Sequence, residues 1–510
     1  MDLSLALTRP AVGATAEFSL SSSEIRKCLE VLPVANPQEA LRYLIEQLEA
    51  MNHSGLGWRL QTDLAELFRQ HIETLLPAVE ADLSEATLPL TARRRAAAKT
   101  ADEALAGLTR AYKSVLVALS RKTIPFRLRQ LLLAPLIQSL RALARRVAIS
   151  HRIYAPHPRG IWQEMHLLFR FGMRHGIADT ELPGTSLTAS AVYRQALLLA
   201  FAQPPKLMQW DVERLIAYLA RFGELAVLES HDRDAEMPGV FVIRSGGDLP
   251  GRALGDSRLE AVRSDDLILN CQPLIETLVA QLDNLDSGIQ PDELGLPTSA
   301  GGTVSRDLLR QLVQRLRNIP SLQFSRLRTH SRVELLVGLR DIWNYLVGDR
   351  SATVPREGRR GWIAANESAG GFSLMHFSGS CEPIRVGEVV GVRSAEACHI
   401  CVVRWVQSEN PEHLELGLQK IAPTATPVSV AHADMRTAVP ALLLPEIPAL
   451  QKAAAILAPC GRMDVESDYR LDHRGLRWPV RTTQLLEQTL SMQMFRFSPA
   501  EPAKEQRLTS

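Results

Sequence analysis

Arg328-Thr-His-Ser-Arg332 sets two guanidinium groups four positions apart, and Asn366-Glu-Ser368-Ala-Gly-Gly371 begins 34 positions after the second of them. A guanidinium is a planar, permanently charged fork of donors. It pairs side-on with phosphate oxygens or with the acceptor edge of a base, and it stacks on a base face. Asn366 and Ser368 bring an amide and a hydroxyl, and the Gly370-Gly371 pair permits positive φ and close approach of backbone to a ligand. Two fixed positive charges, an amide, a hydroxyl and bare backbone suit an anionic, base-bearing ligand. That chemistry alone selects no single ligand.

The elements that must position these groups follow from pattern. Pro320 closes a helical stripe, and Ser325, Thr329 and Ser331 interrupt any apolar face, so the arginine string reads as a loop. Val333 to Leu339 reads as a strand directly after it, and Trp362-Ile-Ala-Ala-Asn366 as another. On a strand Asn366 and Ser368 share a face, because side chains alternate with period two. Strand-like runs recur at Val386 to Val392, His399 to Val406 with Arg404-Trp405 inside it, and Leu414 to Leu418. Short strands at that spacing indicate an antiparallel barrel.

An Arg-x-x-x-Arg string followed by Asn-x-Ser-x-x-Gly, in that order around a strand, resembles the signature of PilZ domains, the bacterial receptors for cyclic di-GMP. The resemblance implies that Arg328 and Arg332 grip guanine edges and phosphates, while Asn366, Ser368 and Gly371 contact the second guanine from the barrel surface. Arg326, Gly370 and Arg404 are additional candidates. Asn366 stands where the family often has Asp, so a charge-assisted bond to guanine N–H groups is lost. Leu327 precedes Arg328 in place of a third arginine, which in this family accompanies one bound ligand rather than a stacked pair. A second Arg-x-x-x-Arg, Arg356 to Arg360, leaves no room for an intervening strand, although Arg359 and Arg360 could add positive field. The resemblance implies a nucleotide sensor and no enzyme, with no cofactor beyond the ligand. A mobile 325–332 segment would order on binding and could reorient the helix before it, passing the signal through the helical domain to a partner protein. The rival reading is a PilZ-like barrel without ligand, a structural adaptor that scaffolds protein assembly.

Composition bounds these readings. The chain has 510 residues, 46% of them hydrophobic, enough for several domains. The 58 basic and 56 acidic residues give a formal charge of +2, which argues against a dedicated nucleic-acid binder. No apolar run is long enough to cross a bilayer. The first residues lack the basic and apolar regions of an export signal, and the scattered cysteines suit a reduced, cytoplasmic protein.

The resulting fold class is multidomain α+β. Residues 1–232 read as a helical domain and 233–322 as a mixed α/β connection. The PilZ-like antiparallel β-barrel takes 323–424, a second small β-rich unit takes 425–498, and 499–510 read as a disordered tail. Asn36-Pro37 opens a helix, and Ser305 caps one running to Asn318 on the apolar face Leu308, Leu309, Leu312, Val313 and Leu316. Thr424 to His432 reads as a linker. Pro479 marks an edge strand, because it cannot donate to a ladder. The long helical region joined to a PilZ unit is similar to large proteobacterial PilZ proteins, some associated with surface attachment and type IV pili. Cys398-His-Ile-Cys401 has only half of a tetrahedral metal set and reads as buried thiols. His151, His157, His166 and His175 read as satisfied helix-face or loop residues.

Overall fold

A computed structural model describes residues 25, 32, 35–83, 87–120, 129–230, 238–254, 256, 259, 262–299, 302–317, 327–348, 359–376, 381–394, 397–410, 413–432, 437–448, 451–489 and 491–500. These residues group into two compact units.

The first unit is mainly helical: α1 (Pro37–His53), α2 (Trp58–Ala81), α3 (Ala92–Ser120), α4 (Gln130–Arg152), α5 (Ile161–Arg174), α6 (Ala189–Phe201) and α7 (Gln209–Phe222). α1 starts as expected, with Pro37 in its first turn and the Asn36 side chain accepting from the Glu39 amide at 3.4 Å. Ala97, Ala101 and Ala104 of α3 are buried against Leu41, Leu44 and Leu48 of α1 and Phe68, Ile72 and Leu76 of α2. Small side chains on α3 let its neighbours approach closely. After α7 come β1 (Val227–Ser230), β2 (Val240–Ile243), β3 (Arg252–Ala253) and β4 (Leu267–Asn270), an antiparallel sheet in the order β1-β4-β2-β3. Then follow α8 (Gln272–Asp286), the short pair β5 (Thr298–Ser299) and β6 (Gly302–Thr303), and α9 (Arg306–Arg317). Ser305 caps α9 through Oγ, 3.2 Å from the Leu308 amide. The apolar face expected for α9 is buried throughout.

Of the four histidines singled out, His166 is fully satisfied: one ring nitrogen lies 2.6 Å from the Tyr193 hydroxyl and the other 2.8 Å from the Leu249 carbonyl. His151 departs from expectation, because its Nε2 is buried without a hydrogen-bond partner among the described residues. Burial holds His166 and His157 down at about 4. The unfolded chain takes up these protons near pH 6.5 and the folded chain only near 4, so falling pH progressively favours unfolding across that window. Thermal melts by far-UV circular dichroism should shift to lower temperature from pH 6.5 to 4, less steeply in His166→Gln.

The second unit contains residues 321–510 together with 87–89 and 205–208. Its strands are β7 (Leu327–Val337), β8 (Trp362–Ser368), β9 (Gly371–His376), β10 (Val389–Arg393), β11 (Cys398–Asn410) and β12 (His413–Ala422), closed as β10-β11-β12-β9-β8-β7. Val333, Leu335, Trp362, Ala364, Leu374 and Leu416 are buried along these strands. A helix, α10 (Leu339–Val347), interrupts the path from β7 to β8. The expected strand Val333 to Leu339 therefore stops at Val337, and Gly338 turns the chain at φ 86°.

A second closed barrel follows: β13 (Thr426–His432), β14 (Val439–Leu444), β15 (Ala455–Pro459), β16 (Asp468–His473), β17 (Leu476–Gln488) and β18 (Met492–Pro499), in the order β13-β14-β15-β18-β17-β16. Thr426–His432 is thus a paired strand and no linker. Pro479 sits within β17 opposite Arg470, beyond the last β18 pairing at Val480, so its missing N–H costs no ladder bond. Pro499 belongs to β18, whereas 501–510 lie outside the described residues. The two barrels share a core. Leu339 and Ile342 of α10, Val389, Ile400 and Val402 of the first barrel, and Leu442, Leu444 and Leu457 of the second form one buried cluster. Trp343 Nε1 donates to the Val428 carbonyl at 2.9 Å.

Candidate ligand-binding face

The arginine string lies on a strand where a loop was expected. β7 begins at Leu327, and its backbone pairs with β8 through Leu327–Glu367, Arg328–Asn366, Ser331–Ala364, Arg332–Ile363 and Val333–Trp362. Thr329 adds a hydroxyl bond to the Ala364 carbonyl at 3.0 Å. Pairing satisfies backbone groups that a loop would leave to water, which is why polar Ser and Thr residues do not prevent a strand here. The loop reading is thereby corrected for 327–332, while Ser325 and Arg326 lie outside the described residues.

Register brings the two strings together. Arg328 is directly opposite Asn366, and Arg332 is opposite Ile363. Strict alternation from buried Trp362 and Ala364 would aim Asn366 into the barrel. Instead a register shift between Ala364 and Asn366 pairs Asn366 with Ser373, whose neighbours Phe372 and Leu374 are buried. Such a bulge re-aims a side chain. Asn366 thus comes to the outer face, and Ser368 follows two residues later on the same side. Arg328 and Arg332 are exposed, and neither side chain bonds another described residue.

Ser368 and Gly371 pair across a two-residue hairpin loop of Ala369 and Gly370, with Ser368 Oγ 3.3 Å from the Gly371 carbonyl. Neither Gly370 nor Gly371 takes a positive φ, contrary to expectation. The demand for glycine at 371 is one of space, since a Cβ there would collide with the Leu418 carbonyl oxygen on β12.

One row of residues crosses five strands on this outer face: Arg328, Asn366, Ser373, Gly417 and Trp405. The Trp405 indole covers Gly417, where a Cβ would strike it. Sequence reading missed Ser373 and the part Trp405 plays in this row, because neither belongs to the two strings and only register reveals them. At the rim of the same strands Lys420 Nζ lies 2.7 Å from Glu367 and 4.2 Å from the centre of the Phe372 ring.

Three other arginines prove to be engaged elsewhere. Arg404 is on β11, three strands from β8 around the six-stranded ring, and reaches Gln419 at 2.6 Å and Glu487 of the second barrel at 2.6 Å. Arg359 is buried and paired with Asp341 of α10 at 2.6 Å and Glu382 at 3.7 Å. Arg360 lies 3.5 Å from Glu334, which also binds Arg393. Each of these charges has an acidic partner within the protein. Cys398 and Cys401 lie on β11, and burial pushes the Cys398 thiol up to about 11 and the Cys401 thiol higher. Among the described residues no three His, Cys, Asp or Glu side chains are grouped to hold a metal. No described helix is long and apolar enough to cross a membrane.

Comparison with known proteins agrees with this architecture. Residues 23–234 match the family model of the N-terminal domain of cyclic-di-GMP receptor FimW. Residues 362–427 match the model of its middle PilZ domain, and 426–500 that of its C-terminal β-barrel domain. The PilZ match takes in Asn366, Ser368 and Gly371 and starts after the arginine strand. A relative named cyclic-di-GMP receptor FimW, from Pseudomonas aeruginosa, aligns with 98% of this chain and 94% of its own length at 23% identity. No solved structure matches the chain. With a helical N-terminal region, a middle PilZ barrel and a C-terminal barrel in the order of the three FimW models, the chain is a PilZ-domain protein.

Proposed function

We propose that this chain is a cytoplasmic receptor for cyclic di-GMP, bound on the outer face of the 323–424 barrel, and that the 1–232 helical domain relays occupancy to a protein partner. The observation that carries this reading is the register pair Arg328–Asn366, which sets an unengaged guanidinium beside an outward amide. The name of the Pseudomonas relative supports the choice of ligand. Arg328 and Arg332 take phosphate oxygens and a guanine edge, Asn366 and Ser368 hydrogen-bond the other base, and Gly371 keeps the backbone close. The role is sensing rather than catalysis, and surface attachment or type IV pilus function is the process we expect it to serve.

Titration of the full chain should raise its melting temperature with cyclic di-GMP and leave it unchanged with GMP, because only a ligand selective for the native state stabilises it. No shift with either would instead favour an adaptor role. Trp405 contributes a ring face at the end of the row. Trp405→Ala should weaken binding about tenfold through lost stacking, and Trp405→Phe should restore most of it. Quenching of tryptophan fluorescence on titration reads the same contact.

A further inference from the structure

We propose a second ligand site, in the helical unit, for an amphipathic carboxylate: an apolar chain ending in a carboxyl group. A half-open cavity of about 350 Å³ lies among α2, α4, α6 and α7. That volume falls within the range of small-molecule sites. It exists because facing positions carry small residues: Ala144 and Ala148 on α4 and Ala196 on α6 leave space that Leu199 and Leu219 wall with apolar surface.

Arg141, Arg145 and Arg152 recur along one face of α4. Arg141 is paired with Glu73 at 3.2 Å, and Arg152 also reaches Glu213 at 3.9 Å. Glu80 is buried and shared, accepting from Arg145 Nε at 2.7 Å and from Arg152 Nη1 at 2.8 Å. Arg145 spends only its Nε there, and its terminal nitrogens bond no other described residue. The Gln195 amide, on α6, is likewise without a partner among the described residues. Free guanidinium and amide donors at the edge of an apolar hollow match a carboxylate head with its chain packed against the alanine and leucine wall. A cationic head offers the free donors of Arg145 and Gln195 no acceptor, and a hydroxyl head only a neutral one.

The test is isothermal titration calorimetry of the full chain with decanoate, decan-1-ol and decyltrimethylammonium, each below its micelle-forming concentration. Decanoate should bind saturably at one site, about tenfold tighter than the alcohol, and the ammonium should not bind. Ala196→Phe fills the cavity and should remove decanoate binding while circular dichroism stays unchanged. Should that variant fold poorly, Arg145→Gln serves instead and should bring decanoate down to the affinity of the alcohol. Absent or non-saturable decanoate binding, equal affinity for all three probes, or unchanged decanoate affinity in a folded variant each overturns the proposal. These outcomes do not depend on whether the barrel binds cyclic di-GMP.

Discussion

Arg328→Ala and Arg332→Ala should each lower affinity for cyclic di-GMP at least a hundredfold while leaving the melting temperature of the unliganded protein within a degree. Each guanidinium can make two charge-assisted hydrogen bonds, worth about 1.5–3 kcal/mol apiece to a charged partner, and 1.4 kcal/mol is tenfold. The fold should not notice, because both side chains are exposed and bond no other described residue. Substitution of such a surface site usually changes stability by less than about 0.5 kcal/mol. Arg328→Lys should recover little, since an ammonium cannot reproduce the planar fork. Calorimetry and a thermal melt on each variant separate affinity from stability. Undiminished binding in both alanine variants would remove this face from consideration.

Gly371→Ala should act in the opposite way, on the fold first. Its Cβ would meet the Leu418 carbonyl, and a backbone atom on a paired strand cannot swing aside as a side chain can. Overpacking of this kind costs about 3 kcal/mol. The expected result is a lower urea midpoint for the barrel, with weaker binding accompanying the loss of stability. Gly417→Ala gives the contrast. There the obstruction is the Trp405 indole, which can rotate away. That variant should keep most of its stability and lose the tryptophan fluorescence response instead. If Gly371→Ala melted like the parent chain, the packing of β9 against β12 would have to differ from that described.

How legible all this was in the sequence depends on how local the determinant is. Asn36-Pro37 and Ser305 announced helix starts because a cap is set by its own next three residues, and both caps are made. The barrel strands at 386–392, 399–406 and 414–418 were visible from their apolar content, although β11 and β12 extend further. Period-two reasoning reached the right face for Asn366 and Ser368 only because a bulge intervened that no local rule foretells. α10 had a readable pattern, with Leu339, Ile342, Trp343 and Leu346 at helical spacing between Gly338 and Gly348. Reading Gly338-Leu339 as the end of a strand concealed it. Pro479 and Thr426–His432 misled because their tolerance of strand geometry depends on where a neighbouring strand ends or begins. The partners of Arg404 and Arg359 are distant in sequence, and spacing alone could not show that those charges were already spent.

The apolar seam joining the barrels through α10 bears on how the chain may be divided. Cutting it near Ala425 would strip Val389, Ile400 and Val402 on one side and Leu442, Leu444 and Leu457 on the other of their cover. Each fragment would then present a contiguous greasy surface and tend to self-associate. The PilZ barrel is therefore not a portable cassette: to be soluble on its own it must travel with its C-terminal companion.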